Sequence, residues 1–321
     1  MFLFDEDFQT KYYSSLLYTT GFLYKEISMK KIVMATLLMA MTGIASAQVV
    51  LSGKVSSTVD QSKVGATKST QLVNDPTNNI AVSVSEKLGN GLTARAVVET
   101  SLQGNTIDGS GTKLGDRQST VGLANSFGSV DVGRNVHSHF LAITDNDVFN
   151  TLYGSVAGDV HNLRNLRLGD AVFVNVTPVK GVAVAVERTL NGPVSDATVY
   201  AVSGKLFKVD AALSRFEQGN EKSTVLGLKT KVMGTTVTYI HSDDQGVVKS
   251  KGDTVGLAHA FGHITAKASY GTTNTDVKAY AVGADYNLSK RTALHVTYRN
   301  VDRTGSMNDV ASFGIGATHK F

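Results

Sequence analysis

The sequence predicts an all-β fold, a transmembrane antiparallel β-barrel of 16 strands. From Gln48 onward no stretch of about ten residues places apolar side chains at i, i+3, i+4 and i+7, so amphipathic helices are not expected. Alternating segments of about ten residues recur instead, separated by turns rich in Gly, Asn, Ser and Asp. The connections between these segments alternate between tight and long, which sets short turns on one rim and longer loops on the other.

The alternating segments run in order as Val49–Val59, Asn79–Leu88, Leu92–Gln103, Arg117–Asn125, Ser129–Asn135, Leu166–Thr177, Val182–Leu190 and Ala197–Ser203. The second half continues with Lys205–Phe216, Ser223–Val232, Thr235–Ser242, Asp253–Ala260, His263–Tyr270, Val277–Asn287, Thr292–Val301 and Val310–Phe321. The count is even, and residues 48–321 allow about 17 residues per strand with its connection, which suits membrane strands of about 9–11 residues. Tight turns fall at Gly89–Gly91, Ser126–Gly128, Val179–Gly181, Met233–Gly234, Phe261–Gly262 and Leu288–Arg291. Longer polar links cover Asp60–Asn78, Gly104–Asp116, Val136–Asn165, Asp243–Gly252 and Asp302–Asp309.

Side chains alternate across each strand, and the alternation assigns faces. Val49, Leu51, Val55 and Val59 face lipid on the first strand, opposite Ser52, Lys54, Ser56 and Thr58. On the third, Leu92, Ala94, Ala96 and Val98 face out while Arg95 and Glu99 face a wet lumen. The fourteenth and fifteenth strands turn Tyr280, Val282, Ala284, Tyr286, Leu294, Val296 and Tyr298 outward and Arg291, His295 and Arg299 inward. Gln118, Thr120 and Gly122 give the fourth strand a weak outward face, of the kind a neighbouring subunit covers. The last strand sends Phe313, Ile315, Ala317, His319 and Phe321 outward and must pair with the first to close the wall.

Composition agrees with this architecture. With 31 Gly, 3 Pro and 18% charged residues, the chain is neither a disordered polar polymer nor a helical membrane protein. A net charge of +4 without a basic stripe does not suggest nucleic acid, and none is expected as a partner. There is no cysteine, so a closed sheet that pairs its own backbone must supply stability without disulfides.

The one strongly apolar run lies in residues 29–47. Met29-Lys30-Lys31 is a positive n-region, Ile32–Ile44 an apolar stretch too short to span a bilayer, and Ala45-Ser46-Ala47 a small-residue cleavage site. A signal peptide over 29–47 is therefore expected, followed by an outer-membrane barrel over 48–321. Residues 1–28 are expected to be an over-extended start, with translation beginning at Met29.

Catalytic motifs are missing. The chain has no H-E-x-x-H, no G-x-S-x-G and no cysteine nucleophile, so it is not expected to be an enzyme. His137 and His139 with His161 are the one histidine grouping, assigned to a polar loop and not to a metal. Gly89 and Gly91 belong to a hairpin turn, not a phosphate loop, because no helix follows them. No cofactor is expected.

Four stretches carry a resemblance to a known family: EKLGNGLTARAVVE (86–99), DRQSTVGLANSFGSVDVGRN (116–135), GADYNLSKRTALHVTYRN (283–300) and the terminal GIGATHKF (314–321). In combination they resemble the Gram-negative general diffusion porins of β-proteobacterial type. The resemblance implies an outer-membrane homotrimer through which ions and small hydrophilic solutes diffuse passively. It also implies contact with lipid and lipopolysaccharide, and with periplasmic chaperones and the barrel assembly machinery on the way there.

In such porins the third external loop folds into the lumen as a constriction, its acidic residues facing basic residues of the wall. The matching segment here is Val136–Asn165, with Asp145, Asp147 and Asp159 as the acidic side. Lys54, Arg117, Arg134 and Arg167 match the basic wall, and Arg95 faces the same lumen by alternation. One rung of that ladder is replaced by Asn79, which weakens the expected anion preference. Phe313, Ile315 and Phe321 resemble the C-terminal assembly signal of the family, with His319 similar to its RHxF ending. The competing expectation is a barrel that acts mainly as an adhesin, a receptor or a structural envelope protein. The short outer loops disfavour it.

Overall fold

The computed structural model describes residues 47–102, 113–150, 153–164, 166–190, 196–246, 249–303 and 309–321. The expected leader and the segment before it lie outside the described residues, as does most of the Gly104–Asp116 link. The strands are β1 (Gln48–Val64), β2 (Thr67–Asn74), β3 (Asn79–Gly89), β4 (Leu92–Ser101), β5 (Gln118–Asn125), β6 (Gly128–Val136), β7 (Arg167–Val179), β8 (Val182–Thr189) and β9 (Ala197–Leu206). They continue as β10 (Val209–Gln218), β11 (Glu221–Val232), β12 (Thr235–Gln245), β13 (Ser250–Phe261), β14 (Ile264–Thr273), β15 (Val277–Asn287), β16 (Thr292–Arg303) and β17 (Val310–Lys320). Two short helices, α1 (Ser138–Thr144) and α2 (Ala157–Val160), lie between β6 and β7.

From β3 to β17 each strand pairs antiparallel with its chain neighbour, and β17 returns to β1 over Lys54↔Lys320 to Val64↔Val310. On its other side β1 pairs with β2 and then β3, which together make one stave interrupted at Asp75–Asn78. Seventeen strands thus build a closed barrel of 16 staves, as expected from the sequence, with one extra strand. Closure leaves no open edge in the wall, which is the condition for a sheet to cross a membrane.

The seam is completed by Phe321. Its N–H donates to the Gly53 carbonyl and its carbonyl accepts from Gly53 N–H, both at 3.0 Å. The Phe321 ring lies over Gly53, where a Cβ would overlap it. Phe313, Ile315 and Phe321 all face outward and are exposed.

The exposed apolar band agrees with the faces assigned on β1, β15 and β16. Val55 and Val59 of β1, Tyr280 and Val282 of β15, and Leu294 and Tyr298 of β16 lie on the outside, while Ser56, Thr58, Asp60 and Ser62 of β1 are buried within. A continuous apolar exterior around a polar interior inverts the arrangement of a soluble protein and matches a lipid-facing wall.

Four details depart from the sequence expectation. The Asp60–Asn78 link is not a loop: β1 runs on to Val64, turns at Gly65–Ala66 and returns as β2. Asp243–Gly252 is likewise mostly strand, with β12 and β13 extended to Gln245 and from Ser250. The β9–β10 turn is not at Gly204 but at Phe207–Lys208, where Phe207 takes φ 56° and is 92% exposed. On β5 the outward residues are Val121 and Leu123, so Gln118, Thr120 and Gly122 point into the lumen.

Candidate functional site

The segment between β6 and β7 folds into the barrel and covers much of the inner wall. His137 starts α1: its Nδ1 accepts a 3.1 Å bond from Phe140 N–H, satisfying one of the unpaired amides of the first turn. Ser138 donates from its backbone and its hydroxyl to Glu187 of β8, tying the start of the loop to the wall. The helix then packs on β9, β10 and β11, and Ala142 and Ile143 join Ala157 of α2, Val225 of β11 and Ile240 of β12 in a buried cluster. Farther on, Val148, Phe149, Val156 and Val160 close over Ala279 and Ala281 of β15 and Val301 of β16.

Wall glycines make this approach possible. At Gly227, Gly256 and Gly314 a Cβ would overlap Asn146, Val148 and Tyr153 of the loop, and at Gly283 it would crowd Phe149. The loop therefore lies within a side chain's width of the wall backbone, and the missing methyl groups are what admit it.

Polar clamps complete the docking. Tyr153 donates to Asp60 of β1. Asp159 accepts from Arg299 and, at 2.6 Å, from Arg303, both on β16. His161 bonds through both ring nitrogens, to Ser242 of β12 and Thr254 of β13, each at 2.8 Å. Arg164 spans Glu221 and Asp244, each at 2.9 Å.

Burial shifts the titration of the loop groups. It pushes His139 down to about 3, assisted by the positive charges of Arg164 and Arg215 and by His137. It pushes His161 down to about 4, partly opposed by Asp253. Burial raises Asp145 against the pull of Lys229, and raises the Tyr153 hydroxyl, with its bond to Asp60 acting in the same direction. Both histidines are thus neutral at pH 7, and His161 spends its ring on wall hydroxyls. Among the described residues no group of three metal-ligating side chains comes together.

The candidate basic residues lie on β1 and on β4 to β7. Lys54 on β1 pairs with Asp75 at 3.4 Å and bonds Thr77. Arg117, at the head of β5, pairs with Glu99 of β4 and reaches the Pro76 carbonyl at 2.8 Å. Arg134 on β6 donates to the Asp116 carbonyl at 2.7 Å. Arg167 at the start of β7 lies in the field of Arg117, Arg134, Glu99 and Asp116, and its buried Nε has no partner among the described residues. Asn79 donates to Glu99 at 2.7 Å, so it orients the carboxylate that holds Arg117. Arg95 sits lower, bridged to Asp131 of β6 across the space above Gly122.

The three loop acids do not face this wall as a set. Asp159 is neutralised by the β16 arginines. The Asp147 carboxylate is buried and accepts from Phe149 N–H at 3.0 Å within the loop. Asp145, at the C-terminal end of α1, is exposed, and its carbonyl accepts from Lys229 at 2.9 Å. Sequence reasoning passed over Arg303, Lys229, Arg164 and Asp60; inward alternation on β16, β11 and β1 was the available signal for three of them. A polar cavity of about 160 Å³ remains beneath the loop, lined by Ser56, Asp75, Tyr153, Lys267, Asp285 and His295 among others.

A closed barrel with an apolar outside, a charged wet interior and a loop that narrows the bore defines an outer-membrane pore for passive diffusion. Residues 35–306 match the family described as Gram-negative porin, and the chain belongs to that family. No curated protein matches it closely enough to add to this. Among solved structures it is similar to the anion-selective porin from Comamonas acidovorans, with TM-score 0.75, 17% identity, and coverage of 86% of this chain and 100% of that one. It is also similar to Salmonella typhi OmpF in complex with daunomycin, with TM-score 0.64, 15% identity and coverage of 85% and 97%. An OmpT of Vibrio cholerae lacking loop L8 gives TM-score 0.66, 13% identity and coverage of 86% and 99%.

Proposed function

We propose that the pore passes small hydrophilic solutes with a lean toward anions, set by Lys54, Arg95, Arg117, Arg134 and Arg167. The observation that supports this is the grouping of Arg117, Arg134 and Arg167 at the adjoining ends of β5, β6 and β7, where Arg117 and Arg134 lie within electrostatic reach of Arg167. Facing charges across a narrow aqueous gap order water and favour polar solutes, and an excess of one sign tilts ion preference. With Asp159 and Asp147 engaged elsewhere, Asp145 is the loop acid left, while Arg134 bonds a carbonyl and Arg167 has no ion pair among the described residues, so the wall keeps an excess of positive charge. The Comamonas porin is anion-selective, which supports the same direction.

The same proposal includes a homotrimer in the outer membrane, export through a leader over residues 29–47 that is cleaved before Gln48, and an assembly signal in Phe313, Ile315 and Phe321. Lipopolysaccharide, periplasmic chaperones and the assembly machinery are its partners, and no catalysis is involved.

The test is reversal potential in a KCl gradient across planar bilayers. Replacing Arg117, Arg134 and Arg167 together by Gln moves selectivity toward cations, most strongly at low salt, where charges are screened over more than about 10 Å. An unchanged reversal potential would show that these side chains do not face the permeation path.

A further inference from the structure

A second positively charged site lies apart from the basic residues of β1 and β4 to β7, on β9 to β11 at the rim of short turns. Lys205 on β9 and Lys229 and Lys231 on β11 share the inward parity of buried Val199 and Val225. Lys208 stands in the β9–β10 turn beside them. These four side chains, with Asp210, Thr230 and Thr236, line one cavity of about 350 Å³.

The local charge does not cancel. Strand register sets Asp210 directly between Lys205 and Lys229. Its pair with Lys205 is loose, at 3.7 Å, and both side chains are about half exposed. Lys229 donates to the Asp145 carbonyl at 2.9 Å, with the Asp145 carboxylate close by. Lys208 and Lys231 have no carboxylate partner among the described residues. Four ammonium groups therefore meet two carboxylates, with the Thr236 hydroxyl available as a further donor.

We infer that this vestibule binds compact oxyanions carrying two or more negative charges, phosphoryl compounds above all, at the inner mouth of the pore. Lysine ammoniums are strongly hydrated point charges on flexible stems, and several of them adapt to a multivalent anion without a fixed geometry. Attraction scales with ligand charge and is screened by salt, so chloride is held weakly and a polyphosphate well. Short turns mark the periplasmic rim of such barrels, so the site meets anions that have already passed the loop.

The probe is inorganic pyrophosphate. Calorimetric titration of the detergent-folded barrel at low ionic strength reads binding whether or not the barrel conducts, so its failure is separate from failure of the pore reading. Replacing Lys208 and Lys231 by Gln weakens pyrophosphate binding at least tenfold. The charge-matched pair Lys63→Gln and Lys68→Gln on the β1–β2 hairpin leaves it within twofold. In bilayers, pyrophosphate added on the short-turn side lowers current at much smaller concentrations than on the other side, and the Arg117, Arg134, Arg167 triple variant keeps this asymmetry. Absence of pyrophosphate binding in the parent barrel overturns the inference. So does equal weakening by the two lysine pairs, or loss of one-sided block in the arginine variant. Heat-modifiable migration on gels checks that each variant is folded.

Discussion

Replacing Asp159 by Asn tests the clamp that holds the returning arm of the loop. The carboxylate is 9% exposed and bonds Arg299 and Arg303, whose side chains are 21% and 23% exposed. A hydrogen bond to a charged group contributes about 1.5–3 kcal/mol. An amide keeps one acceptor oxygen, and the guanidiniums regain water at their open edges, so a net loss of about 2 kcal/mol is expected. That shifts the ratio of docked to undocked loop by about 30-fold. Hydrogen exchange over Val156–His161 should accelerate by about that factor, while β11–β13 stay protected. Single-channel records should show added current noise, and selectivity should move toward anions because one negative charge leaves the lumen. Exchange at the parent rate, together with quiet channels, would refute the assignment of Asp159 as a clamp.

Two further outcomes are expected. His139 and His161 have folded pKa values of about 3 and about 4, below the ordinary 6.5, so loop docking is complete above pH 6.5 and is lost as pH falls toward 4. Each histidine contributes on the order of 2 kcal/mol by pH 4.5, and loop exchange that does not change between pH 7.5 and 4.5 would contradict this. Deleting Phe321 removes both seam bonds to Gly53, so the yield of heat-modifiable barrel in the outer membrane should drop several-fold. The unitary conductance of those that form should be unchanged; an unaltered yield would dissociate Phe321 from assembly.

Strands were readable from the sequence wherever one face meets lipid, because only there does burial impose period two. Tyr280, Val282, Leu294 and Val296 announced β15 and β16 in that way. Above the lipid band both faces of a strand are wet, and the signal vanishes: Thr67–Asn74 is exposed on nearly every residue and looked like a loop. Gly204 looked like a turn, yet it lies within β9 close to the Gly181 carbonyl, and an apolar Phe207 makes the real turn. On β5 the small inward residue Gly122 makes room for the Arg95–Asp131 bridge, a cause that lies on two other strands. The partners of Asp147 and Asp159 had no sequence signal, since the loop crosses the bore without periodicity and meets residues from Asp60 to Arg303.

The seam also orders events in time. Ser56 and Thr318 share a hydrogen bond across 262 residues of chain, whereas most other staves pair through short hairpins. Bringing such distant segments together is entropically the slowest step unless the intervening staves have already zipped. Until β17 meets β1, the structure is a curved ribbon with two unsatisfied edges, the form most exposed to pairing with another chain. Folding of this barrel is therefore all but finished before it becomes safe, and the interval before closure is when a chaperone has most to protect.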